Sequence, residues 1–183
     1  MLQPNRAVLR QYRQFAVLVS LGFATLVSLG LLALRVIYSH RLEYTYLAWN
    51  LFLAWLPMLC ALAAYNAGKR RSRLSWLVVA GCALAWLLFF PNAPYLLTDI
   101  LHLQPSQNAP LWFDLVLLLA FAWTGFFLGL VSLILMQSLV RRAAGRRCRQ
   151  FTAAIASWAF ALAVLGLSGF GIYLGRFLRW NSW

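Results

Sequence analysis

Thiols aside, five side chains in this sequence can move a proton or hold a metal near neutral pH: His40, Glu43, Asp99, His102 and Asp114. Asp99 and His102 stand three residues apart, so one helix face carries both. Glu43, His40 and Asp114 lie near them in the topology argued below. Together they make a start toward a divalent metal site, but zinc needs three or four ligands and only two share an element. An Asp–His hydrogen bond is the simpler arrangement, and neither a metal nor a cofactor is expected. The chain has no P-loop, no H-E-x-x-H and no dinucleotide fingerprint.

Ser168 offers a nucleophile in Gly166-Leu167-Ser168-Gly169. That run resembles the G-x-S-G of rhomboid intramembrane proteases. A serine needs a base to activate it. Rhomboids supply a histidine from a later span, whereas here no span follows and both histidines fall in outer loops. The triad logic is incomplete, so a serine protease is disfavoured.

The elements that must position these residues are set by charge. Twelve of the sixteen Lys and Arg fall into three clusters. Charge-free stretches run from Gln14 to Leu34, Tyr44 to Gly68, Leu74 to Thr98, Leu115 to Val140 and Gln150 to Gly175. Each is long enough for a helix to cross a hydrocarbon layer of roughly 30 Å. The expected fold is an all-α, polytopic transmembrane helix bundle in one domain, residues 1–183. Its five spans lie near 14–34, 46–66, 74–92, 113–139 and 151–175. The 63% hydrophobic content and 3 acidic residues suit lipid, not a soluble core. The net charge of +13 is not read as nucleic-acid binding, because basic residues beside spans fix topology and meet anionic lipid heads. The partners expected are the bilayer itself and anionic lipid head groups at the basic loops. The first apolar run is too long for a typical signal peptide and reads as an anchor. Cys60, Cys82 and Cys148 form no C-x-x-C pair, and no disulfide is expected.

The basic residues alternate between faces. The N-terminal arm, the second loop and the fourth loop together hold twelve; the first loop, the third loop and the C-terminal end hold four. The positive-inside rule makes the first face cytoplasmic, with the N-terminus inside and the C-terminus outside. All three acids and both histidines then fall outside. The third span ends at Phe90-Pro91-Asn92-Ala93-Pro94-Tyr95, where two prolines disfavour a regular helix. A short interfacial or re-entrant helix is expected over 95–103, with Thr98, Asp99 and His102 on one face and Asn92 near its cap. The candidate outer polar cluster is Asn50, Asn92, Thr98, Asp99, His102, Asp114, Arg176, Arg179 and Asn181. Arg176 or Arg179 is expected to hold Asp99 or Asp114. Gly125-x-x-x-Gly129 and Gly171-x-x-x-Gly175 are small-residue motifs for close helix packing.

Four blocks carry a resemblance: Trp49 through Pro57, Phe90 through Asp99, Trp112-Phe113-Asp114, and Gly169 through Trp183. They resemble the bacterial family of membrane proteins called domain of unknown function 1361 (DUF1361). The resemblance implies a multi-span inner-membrane protein with no assigned activity, so no catalytic residue is carried over. Similar chains continue past the Trp-Asn-Ser-Trp block with an acid and another hydrophobic segment. The comparison therefore implies a sixth span whose absence would leave a groove unfilled.

Two function classes stay open. One is a transport or assembly component that binds a lipid or partner at the outer cluster. The other is a membrane enzyme acting on a lipid or envelope substrate at the outer leaflet. The lack of an activated nucleophile favours the first, and the gathering of acid–base residues on one face favours the second.

Overall fold

In the computed structural model, the described residues are 6–70, 72–103, 109–146, 149–176 and 178. Among them the regular elements are all helical, with no strand. The order is α1 (Arg6–Ser39), α2 (Tyr46–Ala67), α3 (Arg73–Phe89), α4 (Asn92–Tyr95), a 3-10 segment (Leu96–His102), α5 (Leu111–Gly145) and α6 (Gln150–Arg176). Counting α3, α4 and the 3-10 segment as one run, five helices are long and apolar enough to cross a membrane.

α5 is the hub. It packs against α1, α2, α4, the 3-10 segment and α6. Over its most apolar window it is 56% buried, against 17% for α1. Sequence explains the difference. α5 places small residues (Ala122, Thr124, Gly125, Gly129 and Ser132) inside the bundle, where they let neighbours approach. α1 shows Phe23, Leu26 and Ile37 outward, as suits a helix facing lipid.

Hydroxyls and indoles then bridge the helices. Trp55 Nε1 donates to Thr25 Oγ1 at 3.1 Å, joining α2 to α1. Ser28 and Thr124 hydroxyls meet at 3.1 Å, joining α1 to α5. Trp86 Nε1 donates to Ser132 Oγ at 3.2 Å, joining α3 to α5. Without a hydrophobic drive between helices in lipid, such bonds and close packing select the partners.

The short helix expected after the third span is present, and its winding is tighter than an α-helix. Pro91 and Pro94 carry no N–H, so the α-ladder cannot run through them. Phe90, Pro91, Tyr95 and Leu96 nevertheless keep right-handed helical dihedrals. The chain therefore keeps winding in one hand and settles into a 3-10 stretch. Residues three apart eclipse in that geometry. Leu96, Asp99 and His102 consequently form the row, where an α-helical reading puts Thr98 in it. Leu96 and Asp99 are buried, so the segment is packed into the bundle along that row.

Gly125 and Gly129 make this packing possible. A Cβ on Gly125 would stand 2.8 Å from the Ala93 carbonyl oxygen, and one on Gly129 would stand 3.1 Å from Ala93 Cβ. The first small-residue motif is thus a seat for the proline-broken segment. The second differs from its expectation. Among the described residues, a Cβ on Gly175 would find nothing within 4 Å, and one on Gly171 would meet Pro91 Cγ at 4.0 Å.

Candidate functional site

The end of the bundle formed by the α1–α2 connection, the 3-10 segment, the start of α5 and the end of α6 gathers all three acids. They do not form one cluster. Two centres result, one built on Asp114 and one on Asp99.

Asp114 lies in the first turn of α5, where the helix dipole favours an acid. Among the described residues its partner is Arg35, a residue the sequence did not single out, while Arg176 goes to Asp99. Arg35 Nε donates to Oδ1 at 2.5 Å and Nη2 to Oδ2 at 3.1 Å, a bidentate pair. Side-chain exposure is 2% for Arg35 and 0% for Asp114. The correction has a simple cause. The charge-free run ends at Leu34, which made Arg35 look like a loop residue. α1 continues to Ser39 and carries Arg35 inward beside α5. Glu43 adds a second carboxylate 3.6 Å from Nη2 and is half exposed. Tyr44 lies with its ring 5.5 Å from the guanidinium carbon. Burial pushes the Tyr44 phenol above its ordinary value, and the Asp114 charge pushes the same way. Arg35 Nη1 is buried with no hydrogen-bond partner among the described residues.

Asp99 is the heart of the second centre, and here the expected arginine is found. Arg176 Nη1 stands 3.6 Å from Oδ1. Asn50 Nδ2 donates to Oδ2 at 3.1 Å. Arg176 also donates to the Tyr95 hydroxyl at 3.1 Å and to the Thr98 carbonyl at 2.5 Å, and Nη2 lies 2.9 Å from His102 Nδ1. One guanidinium thus ties the end of α6 to α4 and the 3-10 segment, while Asn50 ties in α2. A guanidinium has no acceptor, so Nδ1 of His102 accepts and its ring proton sits on Nε2. His102 is half exposed and lies 3.8 Å from Asp99. Its ring meets Tyr46 edge-on at 5.8 Å between centroids. The Tyr46 hydroxyl is buried and has no hydrogen-bond partner among the described residues.

The expected residues therefore divide. Asn50, Thr98, Asp99, His102 and Arg176 come together, with Thr98 contributing its carbonyl; its hydroxyl donates to Tyr95. Asp114 sits in the other centre. Asn92 stands apart, since its amide donates to the Phe89 carbonyl at the end of α3. Arg179 and Asn181 lie outside the described residues. Arg35, Tyr46 and Tyr95 were not singled out as site residues. Tyr46 and Tyr95 look like the aromatic residues that spans commonly carry near the interface, and nothing short of the helix's true end marked Arg35.

Among the described residues, neither centre gathers a nucleophile with its base or a set of metal ligands. Ser168 is buried with its hydroxyl unpartnered, and His102 Nδ1 is taken by Arg176, so the described residues hold no Ser–His pair. No group of three metal-ligating side chains occurs among them either. What the Asp99 centre can do is offer donors, the Tyr46 hydroxyl and the His102 Nε2–H, beside a charge-balanced Asp–Arg pair.

A family model described as protein of unknown function (DUF1361) matches residues 49–183, a stretch that holds Asn50, Asp99, Asp114 and Arg176 and leaves out Arg35. No curated protein and no solved structure matches the chain. With most of its length, and the whole Asp99 centre apart from Tyr46, inside the matched stretch, the chain belongs to the DUF1361 family.

Proposed function

We propose that this protein is a multi-pass component of the bacterial inner membrane that binds a polar group at its outward-facing end, in the service of transport or envelope assembly. The acidic end faces outward and the basic end faces the cytoplasm, as the distribution of Lys and Arg favours. The N-terminus is then cytoplasmic and the end of α6 outside.

The observation that carries the binding role is the Tyr46 hydroxyl, buried and without a partner among the described residues, beside half-exposed His102. A buried hydroxyl left without a partner costs about 1–3 kcal/mol. An acceptor brought from outside removes that cost by taking bonds from Tyr46 and from His102 Nε2–H. The Asp99–Arg176 pair balances its own charge, so a phosphate or ester carbonyl of an outer-leaflet lipid, or a backbone carbonyl of a partner, fits the donors. Among the described residues His102 Nδ1 is taken by Arg176 and is not paired with a nucleophile, which favours binding over catalysis at this centre.

The test compares molecules that co-purify with the wild-type protein, Tyr46→Phe and His102→Ala from membranes in mild detergent. Loss of the same lipid or protein species from both variants supports the reading. Identical inventories for all three would sink it. Catalysis would show instead as a chemically altered lipid that accumulates with the wild type only.

A further inference from the structure

At the opposite, basic end, two cavities share one arginine, and a third reaches it through a tyrosine. The first is an apolar groove of about 280 Å³ between α1, α2 and α5, lined by Val17, Leu18, Met58, Leu62, Ile134 and Leu135, with Tyr65 among its walls. Arg142 Nη2 donates to the Tyr65 hydroxyl. Arg142 itself lines the two other cavities, one with Arg70 and Ser75, the other with Ser138, Arg141 and Gln150. Arg146 lines both of these as well.

The charges here are unusual. The Arg142 guanidinium carbon lies 4.3 Å from the Tyr65 ring centroid, and Lys69 Nζ lies 5.0 Å from the same centroid. Two cations share one aromatic ring. Each is attracted to the ring face, but each repels the other. A carboxylate between them would relieve the repulsion. The three acids of the chain, Glu43, Asp99 and Asp114, all stand at the other end. Among the described residues Lys69 takes the neutral Asn66 amide oxygen, at 2.8 Å. An anion from outside the chain would balance this pair.

We infer that an anionic phospholipid occupies this place, with its phosphate on Lys69 and Arg142 and one acyl chain in the groove between α1, α2 and α5. The two halves of the site are joined by Tyr65. Its ring walls the groove and its hydroxyl meets the head-group arginine, so a molecule that satisfies both must be charged at one end and apolar along its length. A free phosphate would leave the groove empty. A second protein copy would bring its own basic end against this one. The site is independent of the centre around Asp99, and either can fail without the other.

The experiment uses the full chain in neutral detergent. Binding of phosphatidylglycerol and of phosphatidylcholine is read by native mass spectrometry and by thermal shift. Phosphatidylglycerol is expected to bind more tightly and to raise the melting temperature. Lys69→Gln and Arg142→Gln should each weaken that binding by about fivefold, the factor that goes with ~1 kcal/mol for each basic residue at an anionic surface. Ile134→Trp, which fills the groove without touching charge, should weaken both lipids. Arg41→Gln, at the other end, should change neither. Because Arg142→Gln also removes the bond to Tyr65, the Lys69 and Ile134 variants carry the test if it fails to fold. Equal affinity for the two lipids, unchanged binding in Lys69→Gln or Ile134→Trp, the same stabilisation by inorganic phosphate alone, or a dimer that buries the groove would each overturn the inference.

Discussion

Removing one partner of the Arg35–Asp114 pair is the severest single polar change this bundle offers, and the two removals are not equivalent. Both side chains are essentially closed to solvent and share two hydrogen bonds. Breaking a buried pair from one side leaves an uncompensated charge, at a cost of about 3–5 kcal/mol. Asp114→Asn leaves Arg35 with Glu43 at 3.6 Å and the Tyr44 ring below it. Its loss should fall near ~3 kcal/mol, the lower limit of that range. Arg35→Gln strands a carboxylate at 0% exposure with no second cation beside it among the described residues, and should lie near ~5 kcal/mol. For a chain of this length those losses correspond to melting temperatures lower by about 6–20 °C. Replacing both at once, Arg35→Met with Asp114→Leu, removes the charges together and should return stability to within ~1 kcal/mol of wild type or above it. The assay is thermal aggregation of detergent-extracted protein, read for the two singles and the double. Strictly additive losses, or a smaller loss for Arg35→Gln than for Asp114→Asn, would refute the reasoning.

Gly125→Ala should cost about 1–3 kcal/mol, because the new methyl meets the Ala93 carbonyl at 2.8 Å and backbone must move; Gly175→Ala, into open space, should be neutral in the same melting assay. Asp99→Asn and Arg176→Gln should be strongly non-additive, with a coupling of about 1–3 kcal/mol, and independence of the two in a double-mutant cycle would show that the 3.6 Å contact does not hold α6. For orientation, single cysteines at Ser72 and at Arg41 in a background free of Cys60, Cys82 and Cys148 are exposed to an impermeant maleimide in intact cells. Position 41 should label and 72 should not; the reverse would invert the topology.

The long apolar runs were legible because lipid demands them and charges interrupt them. The Asp99–Arg176 contact was legible for a related reason: in a chain with three acids, an arginine emerging on the same side has few other partners. The Arg35–Asp114 pair was not, since a helix that extends past its apolar run to bury an arginine looks, in one dimension, like a loop. The distinction between α and 3-10 winding at Leu96–His102 was also hidden. Prolines announce that the ladder is broken, but only the fit against Gly125 and Gly129 decides what replaces it. Lys69 follows Tyr65 by one helical turn, but Arg142 lies far along the chain, and its meeting with them is a tertiary fact.

The pair between Arg35 and Asp114 also joins the first span to the fourth, and a chain is made from its N-terminus. When α1 enters the bilayer, Asp114 does not yet exist. For that interval the guanidinium has Glu43 and whatever lipid phosphate its side chain can reach by snorkelling. Its helix, mostly lipid-facing even in the finished bundle, has little else to hold it. The arrival of α5 ends the wait by bringing the carboxylate, the Thr124 hydroxyl for Ser28, and the glycines that seat the broken third span. Assembly is thus committed late, by a single helix. Any chain halted before Leu111 leaves in the membrane an arginine without the buried carboxylate that the completed protein gives it, a chemical sign that separates unfinished molecules from finished ones.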